Sequence, residues 1–275
     1  MAPRTGPTPK VGDTALEFSL AAIDGSMGRL SDQLKARGRA RRGCLPGAGR
    51  RISGGILVAD MYVQEVWRYP VKSMAGQPLE NARVTPSGID GDRLIQVHNA
   101  RGRVVTARTH PRLLGLHATI DGEGRVLVDG RPWSDPIVRD VVGGIVGPGA
   151  QLVYNDGLDR FDILPLLVAT DGAIAAFGHD RRRLRPNIVI GGVDGLEERT
   201  WEGSELRIGE AVVRIADLRA RCVMTTFDPD TLVQDHSVLR DIGKRFGGKL
   251  ALNCEVVRGG DIRVNQVVEV TAPAR

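Results

Sequence analysis

The sequence predicts a mainly β protein with a few short helices, arranged as two β units. Three observations carry this reading. Short runs of β-branched or alternating apolar residues recur along most of the chain. Turn signals rich in Gly, Asp and Asn separate them. Few stretches show helical start and stop signals. The chain has 275 residues, 41% of them hydrophobic, which suffices for a sizeable core. With an aromatic share of only 4%, that core must rest on Val, Leu, Ile and Ala.

Residues 1–60 differ in character from the rest of the chain. They hold ten basic and five acidic residues, against 28 of each in residues 61–275, so the net charge of +5 sits in this leader. Residues 35–51 (KARGRARRGCLPGAGRR) bury too little apolar surface to offset their ordering entropy and read as a disordered linker. Before it come Val11-Gly12-Asp13, a strand through Phe18 to Leu20, a turn at Asp24-Gly25 and Ser31 as a helix N-cap. This stretch resembles the opening of a peroxiredoxin. No strand leads on to a peroxidatic cysteine, and Cys44 lies in the Arg/Gly run. The leader is expected to be a fragment or an upstream extension with no function of its own, and the body to start near Met61.

From Met61 the expected strands are residues 61–67, 79–85, 93–99, 103–108, 113–120, 211–217 and 252–257. One helix is expected after Thr170 or Asp171 as N-cap, with Gly178 as its stop. A second runs from Ser237 through Phe246 and closes at Gly247-Gly248. The glycine-rich segment 143–149 (GGIVGPG) reads as the boundary between β units at 61–145 and 146–275.

Composition and motifs exclude several classes. No apolar run approaches the ~18 residues that span a bilayer, and no apolar segment of the secretory type follows the N-terminus, so a cytoplasmic protein without membrane contact is expected. A charge-neutral body argues against a nucleic-acid partner. Cysteines at 44, 222 and 254 cannot build a four-cysteine zinc site or iron–sulfur cluster. There is no dinucleotide or P-loop glycine motif and no nucleophile elbow, and the histidines at 98, 110, 117, 179 and 236 lack metal-cage spacing.

One segment stands out. In residues 216–231 (ADLRARCVMTTFDPDT) a strand ends at Asp217 and a loop presents Arg219, Arg221 and Cys222. A neighbouring guanidinium favours a thiolate, which is both a nucleophile and a soft-metal ligand. Spacing alone leaves a second reading open, a buried structural cysteine beside two surface arginines. Lys72-Ser73, Arg93 after the turn G-I-D-G-D, and Arg185 before Pro186-Asn187 sit at turns near strand ends. Together they could cradle a multiply charged phosphate ligand, although each alone reads as a solvated loop charge.

These residues fall into an ordered set: residues 66–74 (VWRYPVKSM), Gly91-Asp92-Arg93, residues 105–108 (VTAR) with His110-Pro111-Arg112, residues 185–190 (RPNIVI), residues 198–203 (ERTWEG) and residues 221–231 (RCVMTTFDPDT). The set resembles the MOSC family, the molybdenum cofactor sulfurase C-terminal family, with its N-terminal β-barrel domain. In layout it is most similar to YcbX-like and amidoxime-reducing members, across residues 62–270. The resemblance implies a β-barrel MOSC fold and a bound molybdenum cofactor (Mo-molybdopterin). It implies Cys222 as metal ligand and catalytic residue, with Lys72, Ser73, Arg93, Thr170, Arg185, Asn187 and Arg221 as further cofactor contacts. It further implies an oxidoreductase that reduces N-hydroxylated small molecules with electrons from a separate ferredoxin- or flavoprotein-like donor. The alternative is a non-catalytic cofactor carrier, or a sulfur carrier using a Cys222 persulfide. No iron–sulfur cluster and no pyridoxal phosphate site are expected in this chain. Three departures stand against the family pattern: Ala220 in place of a frequent Ser, Thr170-Asp171 in place of a Ser or Thr pair, and Asn265-Gln266 in place of Gly-Asp.

Overall fold

The computed structural model describes residues 51–53, 56–58 and 61–272, all within one compact unit, Gly47–Arg275. The expectations for the peroxiredoxin-like stretch, Cys44 and residues 35–50 of the linker lie outside the described residues, while Arg51, the linker's last residue, pairs with Val58 in a short antiparallel ladder of Arg51–Ser53 with Ile56–Val58. The largest sheet has eight strands, numbered in chain order: β1 (Tyr62–Arg68), β2 (Gln77–Leu79), β3 (Leu166–Thr170), β4 (Ile188–Gly191), β5 (Glu205–Ile208), β6 (Ala211–Ala220), β7 (Lys249–Arg258) and β8 (Glu269–Thr271). Their spatial order is β8-β5-β6-β7-β3-β4-β1-β2. All neighbours are antiparallel except β3 and β4. A parallel pair needs a crossover connection, and helix α2 (Asp171–Phe177) lies within it.

The resemblance implied a closed barrel, and the regular ladder is open, with β8 and β2 at its edges. The start of β1 nevertheless reaches the segment just before β8. Val63 N–H donates to Gln266 O at 2.9 Å, Asn265 N–H to Val63 O at 2.8 Å and Val268 N–H to Met61 O at 2.8 Å. Asn265 takes φ 66° there, a left-handed conformation that Asn tolerates better than most residues, so the Asn-Gln departure is accommodated as a turn.

Two β cores are present, but they do not divide at residue 145. One core packs Val63, Val66, Leu166, Ile188, Leu206, Ile215, Leu252 and Cys254 between strands from both halves of the chain. The strand Asn81–Thr85 pairs with Gly260–Arg263, which ties the halves further. The second core packs Val71, Met74, Ile95, Val97, Leu113 and Val142, all from residues 71–150. Helix α1 (Pro136–Val146) closes it and contains Gly143 and Gly144, the start of the expected boundary segment. The start of α1 is legible in the sequence: Asp135 accepts from Ile137 N–H and Pro136 occupies the first turn.

The other helices follow their signals. Thr170 Oγ1 caps α2 by accepting from Ala173 N–H at 3.1 Å, and Gly178 ends it in the left-handed region at φ 72°. Helix α3 runs His236–Phe246, one residue earlier than expected, because Asp235 rather than a later residue supplies the cap. Two expected strands shrink. Within 103–108 only Val104–Val105 pairs, and within 113–120 Pro111 starts a 3₁₀ turn through Gly115 before the strand Ala118–Ile120. Among the described residues no helix is long and apolar enough to cross a membrane.

Candidate active site

Strand β6 delivers Arg219 and Ala220 to its end, and Arg221 and Cys222 follow directly. The chain then turns into a 3₁₀ segment, Val223–Thr226. The two threonines of this motif are buried and hold the turn rather than face a ligand. Thr225 donates through N–H and Oγ1 to Cys222 O at 3.0 and 2.9 Å, and Thr226 Oγ1 donates to Val223 O at 2.6 Å. Cys222 is thereby fixed at the wall of a cavity of about 600 Å³. Cys254 by contrast is fully buried in β7, in the apolar core, and burial pushes its thiol well above the usual range.

Lys72, Ser73, Arg93, Arg185, Asn187 and Arg221 line the same cavity as Cys222. The structure therefore brings together six of the seven expected cofactor contacts around the expected metal ligand. Thr170 is the exception and does not line it. Its hydroxyl is fully buried, caps α2 and lies 3.4 Å from Glu198 Oε2. Asp171 is likewise occupied, accepting from the N–H groups of Gly172, Gly192 and Val193.

The backbone at the site is strained. Seven non-glycine residues have positive φ among the described residues, and three of them, Ser73 (74°), Arg93 (55°) and Arg185 (57°), line this cavity. Each such conformation costs on the order of 1 kcal/mol and persists only where its surroundings hold it. Asp92 is one of those holds. It is fully buried, accepts from Tyr69 N–H at 2.7 Å and from Asn187 Nδ2 at 3.1 Å, and pairs with the Arg93 guanidinium. Asn187 also accepts from Leu167 N–H at 3.2 Å, so its amide positions neighbours more than it offers free donors. The Tyr69 ring lies against Arg185 and Arg93, 4.3 and 5.3 Å from centroid to guanidinium. Burial pushes its hydroxyl up to about 12, so it remains a neutral donor to Pro186 O at 3.1 Å.

Sequence reasoning set Arg219 beside Cys222 without making it a cofactor contact, and gave no site role to Arg108, Arg183 or Asp162. Arg108, Arg183, Arg219 and Asp162 also line the cavity, making seven cationic side chains there against one carboxylate. Arg185 and Arg221 meet only backbone oxygens, Met74 O at 2.6 Å and Leu184 O at 2.8 Å. Burial pushes both guanidinium groups down to about 10, which leaves them charged at neutral pH. The Nε atoms of Arg183 and Arg221 are buried without a partner. Leu184, Leu166, Leu167, Phe161 and Met224 supply the apolar wall, and Ala220 faces in where a serine would have added a hydroxyl. Arg108 belongs to the VTAR motif, and its charge was the available signal. Nothing local marked Asp162.

No group of three His, Cys, Asp or Glu side chains is placed to hold a metal ion among the described residues. A metal held at Cys222 would therefore have to arrive on a ligand of its own. The charged, partly apolar cavity with a thiol at its wall has the donor set for such a ligand.

Two family models match the chain. Residues 60–140 match the family model of the MOSC N-terminal beta barrel domain and residues 173–269 that of the MOSC domain. Mitochondrial amidoxime-reducing component 1 of Homo sapiens is 26% identical, over 62% of this chain and 67% of that protein. Mitochondrial amidoxime reducing component 2 of Homo sapiens is 28% identical, over 67% of this chain and 72% of that protein. Among solved structures, the YUAD protein from Bacillus subtilis is similar with a TM-score of 0.44 at 12% identity, covering 78% of this chain and 97% of that one. With both domain models matched in order across more than half of its length, the chain belongs to the MOSC family and carries the family's N-terminal domain ahead of the MOSC domain.

Proposed function

We propose that this protein binds the molybdenum cofactor in the cation-lined cavity, with Cys222 as its ligand to the metal, and reduces N-hydroxylated compounds. The observation that carries the reading is the meeting of Cys222 with seven cationic side chains in one cavity of about 600 Å³. Such a site suits a polyanionic organic group with a metal at one end. Arg185 and Arg221, bonded so far only to carbonyls, have guanidinium N–H groups left for phosphate oxygens, and Arg183 and Arg221 each hold a buried Nε–H in reserve. Arg93 is aimed by Asp92, and Ser73 presents its turn by accepting from Ala107 N–H at 3.0 Å. Held by Cys222 and these cationic side chains, the cofactor would supply two-electron redox and oxygen-atom-transfer chemistry.

The overall conversion balances as removal of the N–O oxygen as water, with two electrons and two protons consumed. The residues of this chain bind and orient. The apolar wall of Leu166, Leu184 and Met224 limits water around the reacting end. The electrons come from a separate donor protein. Support for this chemistry comes from the amidoxime-reducing relatives, which match at 24 to 28% identity. The test is metal and pterin analysis of the purified protein, with subsequent turnover of an N-hydroxylated amidine by a chemical reductant. Protein with neither molybdenum nor pterin refutes the cofactor reading. Loaded protein without turnover leaves a carrier.

A further inference from the structure

The carboxylate that lines this cavity stands among cations that an anionic ligand would need. Asp162 Oδ1 accepts from Lys72 Nζ at 2.8 Å and Oδ2 from Arg108 at 2.7 Å, with Arg219 at 3.8 Å. None of these three cations has another carboxylate partner among the described residues, whereas Arg93 is paired by Asp92 and Arg183 by Asp228. One acid is thus shared among three cations drawn from distant parts of the chain, and it leaves two of their positive charges uncompensated. Burial alone would push its carboxyl up, yet Lys72, Arg108 and Arg219 hold it below the ordinary value.

The backbone around Asp162 is tied down without help from its carboxylate. The buried Arg160 side chain donates to Asp92 O at 3.0 Å, Gly157 O at 2.9 Å and Ser87 O at 3.1 Å, and Lys72 Nζ donates to Arg160 O at 2.8 Å. Phe161 packs under the Arg160 guanidinium at 4.3 Å. The Asp162 side chain is itself 29% exposed, so rotation about its side-chain bonds can carry it from the cations into water while the backbone stays in place.

We propose that Asp162 is an internal counter-ion that occupies an anion subsite formed by Lys72, Arg108 and Arg219, and that a ligand's phosphate-type dianion displaces it. The inference rests on the cavity being an anion site, as the proposed function requires, and adds a rule of selection. A neutral group has no charge to exchange for the carboxylate. A monoanion replaces one charge with one. A dianion gains a charge and an oxygen over the carboxylate it displaces, so the subsite favours phosphomonoester-like groups.

The experiment is calorimetric titration of the full chain, freed of bound cofactor, with inorganic phosphate. Asp162→Asn removes the competing charge while keeping the shape, and charge-assisted hydrogen bonds are about twice as strong as neutral ones, so phosphate should bind about tenfold more tightly. Arg108→Ala should weaken binding in either background. Asp162→Ser, read in the same titration, replaces Asp162→Asn if thermal melting shows that variant unfolded. Equal or weaker binding by the Asp162 variants overturns the proposal, as does failure of every form to bind phosphate. The cofactor reading is judged apart from both results, by the molybdenum and pterin content of protein as purified.

Discussion

Asp92→Asn is the sharpest test of how the site is held. The wild-type carboxylate is fully buried and serves three donors: Tyr69 N–H at 2.7 Å, Asn187 Nδ2 at 3.1 Å and the Arg93 guanidinium. An amide has one acceptor oxygen. If that oxygen faces Tyr69, the new NH₂ meets Asn187 and Arg93, donor against donor; if it flips, Tyr69 N–H loses its partner. Each buried donor left without an acceptor costs about 1–3 kcal/mol, and removing one partner of a buried ion pair costs about 3–5 kcal/mol. Arg93 keeps 17% exposure and can recover some hydration, so the total should be about 3–5 kcal/mol rather than the sum. At roughly 2–4 °C per kcal/mol for a domain of this size, the melting temperature should fall by roughly 10 °C. The assay is thermal unfolding monitored by circular dichroism. The exposed pair Arg83–Asp261, 3.8 Å apart, provides the control, since Asp261→Asn should change the melting temperature by no more than about 1 °C. A fall of less than about 3 °C in Asp92→Asn would show that Asp92 does not organise the strained turns as described.

The remaining predictions address the thiols, the clamp and a buried acid. Cys222→Ser should abolish reduction of an N-hydroxylated substrate while some pterin stays bound, whereas Cys254→Ser should lower stability by about 1–3 kcal/mol through a poorly paired core hydroxyl and leave turnover per folded molecule unchanged. Equal activity loss in both would point to general destabilisation. Arg185→Ala and Arg221→Ala each remove charge-assisted hydrogen bonds and should weaken cofactor retention about ten- to a hundredfold, read as pterin remaining after dialysis. Glu198 is fully buried, its Oε1 has no partner, and burial raises its carboxyl above the ordinary value of 4.5. Between 4.5 and its raised folded value the folded state binds more protons than the unfolded chain, so stability should fall as pH rises through that window. Glu198→Gln should flatten this part of the stability curve, and an unchanged slope in denaturant titrations at several pH values would contradict the assignment.

Much of the architecture is legible because its signals are local. Thr170 as a cap, Gly178 and Gly247 as left-handed stops, and the alternating runs at β1, β6 and β7 act over a few residues and survive any tertiary context. The turn residues Ser73, Arg93 and Arg185 stand out by position and type, and the structure gathers them with Cys222. The same locality limits what the sequence shows. Gly143 and Gly144 suggest a loop when read alone, but Asp135 and Pro136 start a helix whose apolar face, through Val138 and Val142, packs on the second core and carries them with it.

Composition, helix caps and the order of the motifs were the sequence's own to determine: a mainly β chain, a basic leader ahead of a neutral body, and a set of cationic turns around one cysteine. Only the tertiary structure decided which of those groups share a cavity. Pairing of β4 with β1 sets Ile188 against Val66 and places Asn187 beside Asp92, contacts between residues about a hundred positions apart. Asp162 reaches Lys72, Arg108 and Arg219 by the same long-range folding, while Thr170 turns inward to Glu198 and away from the site. The physical reason is that strand pattern determines which face a side chain takes, but register and crossover between distant strands determine what that face meets.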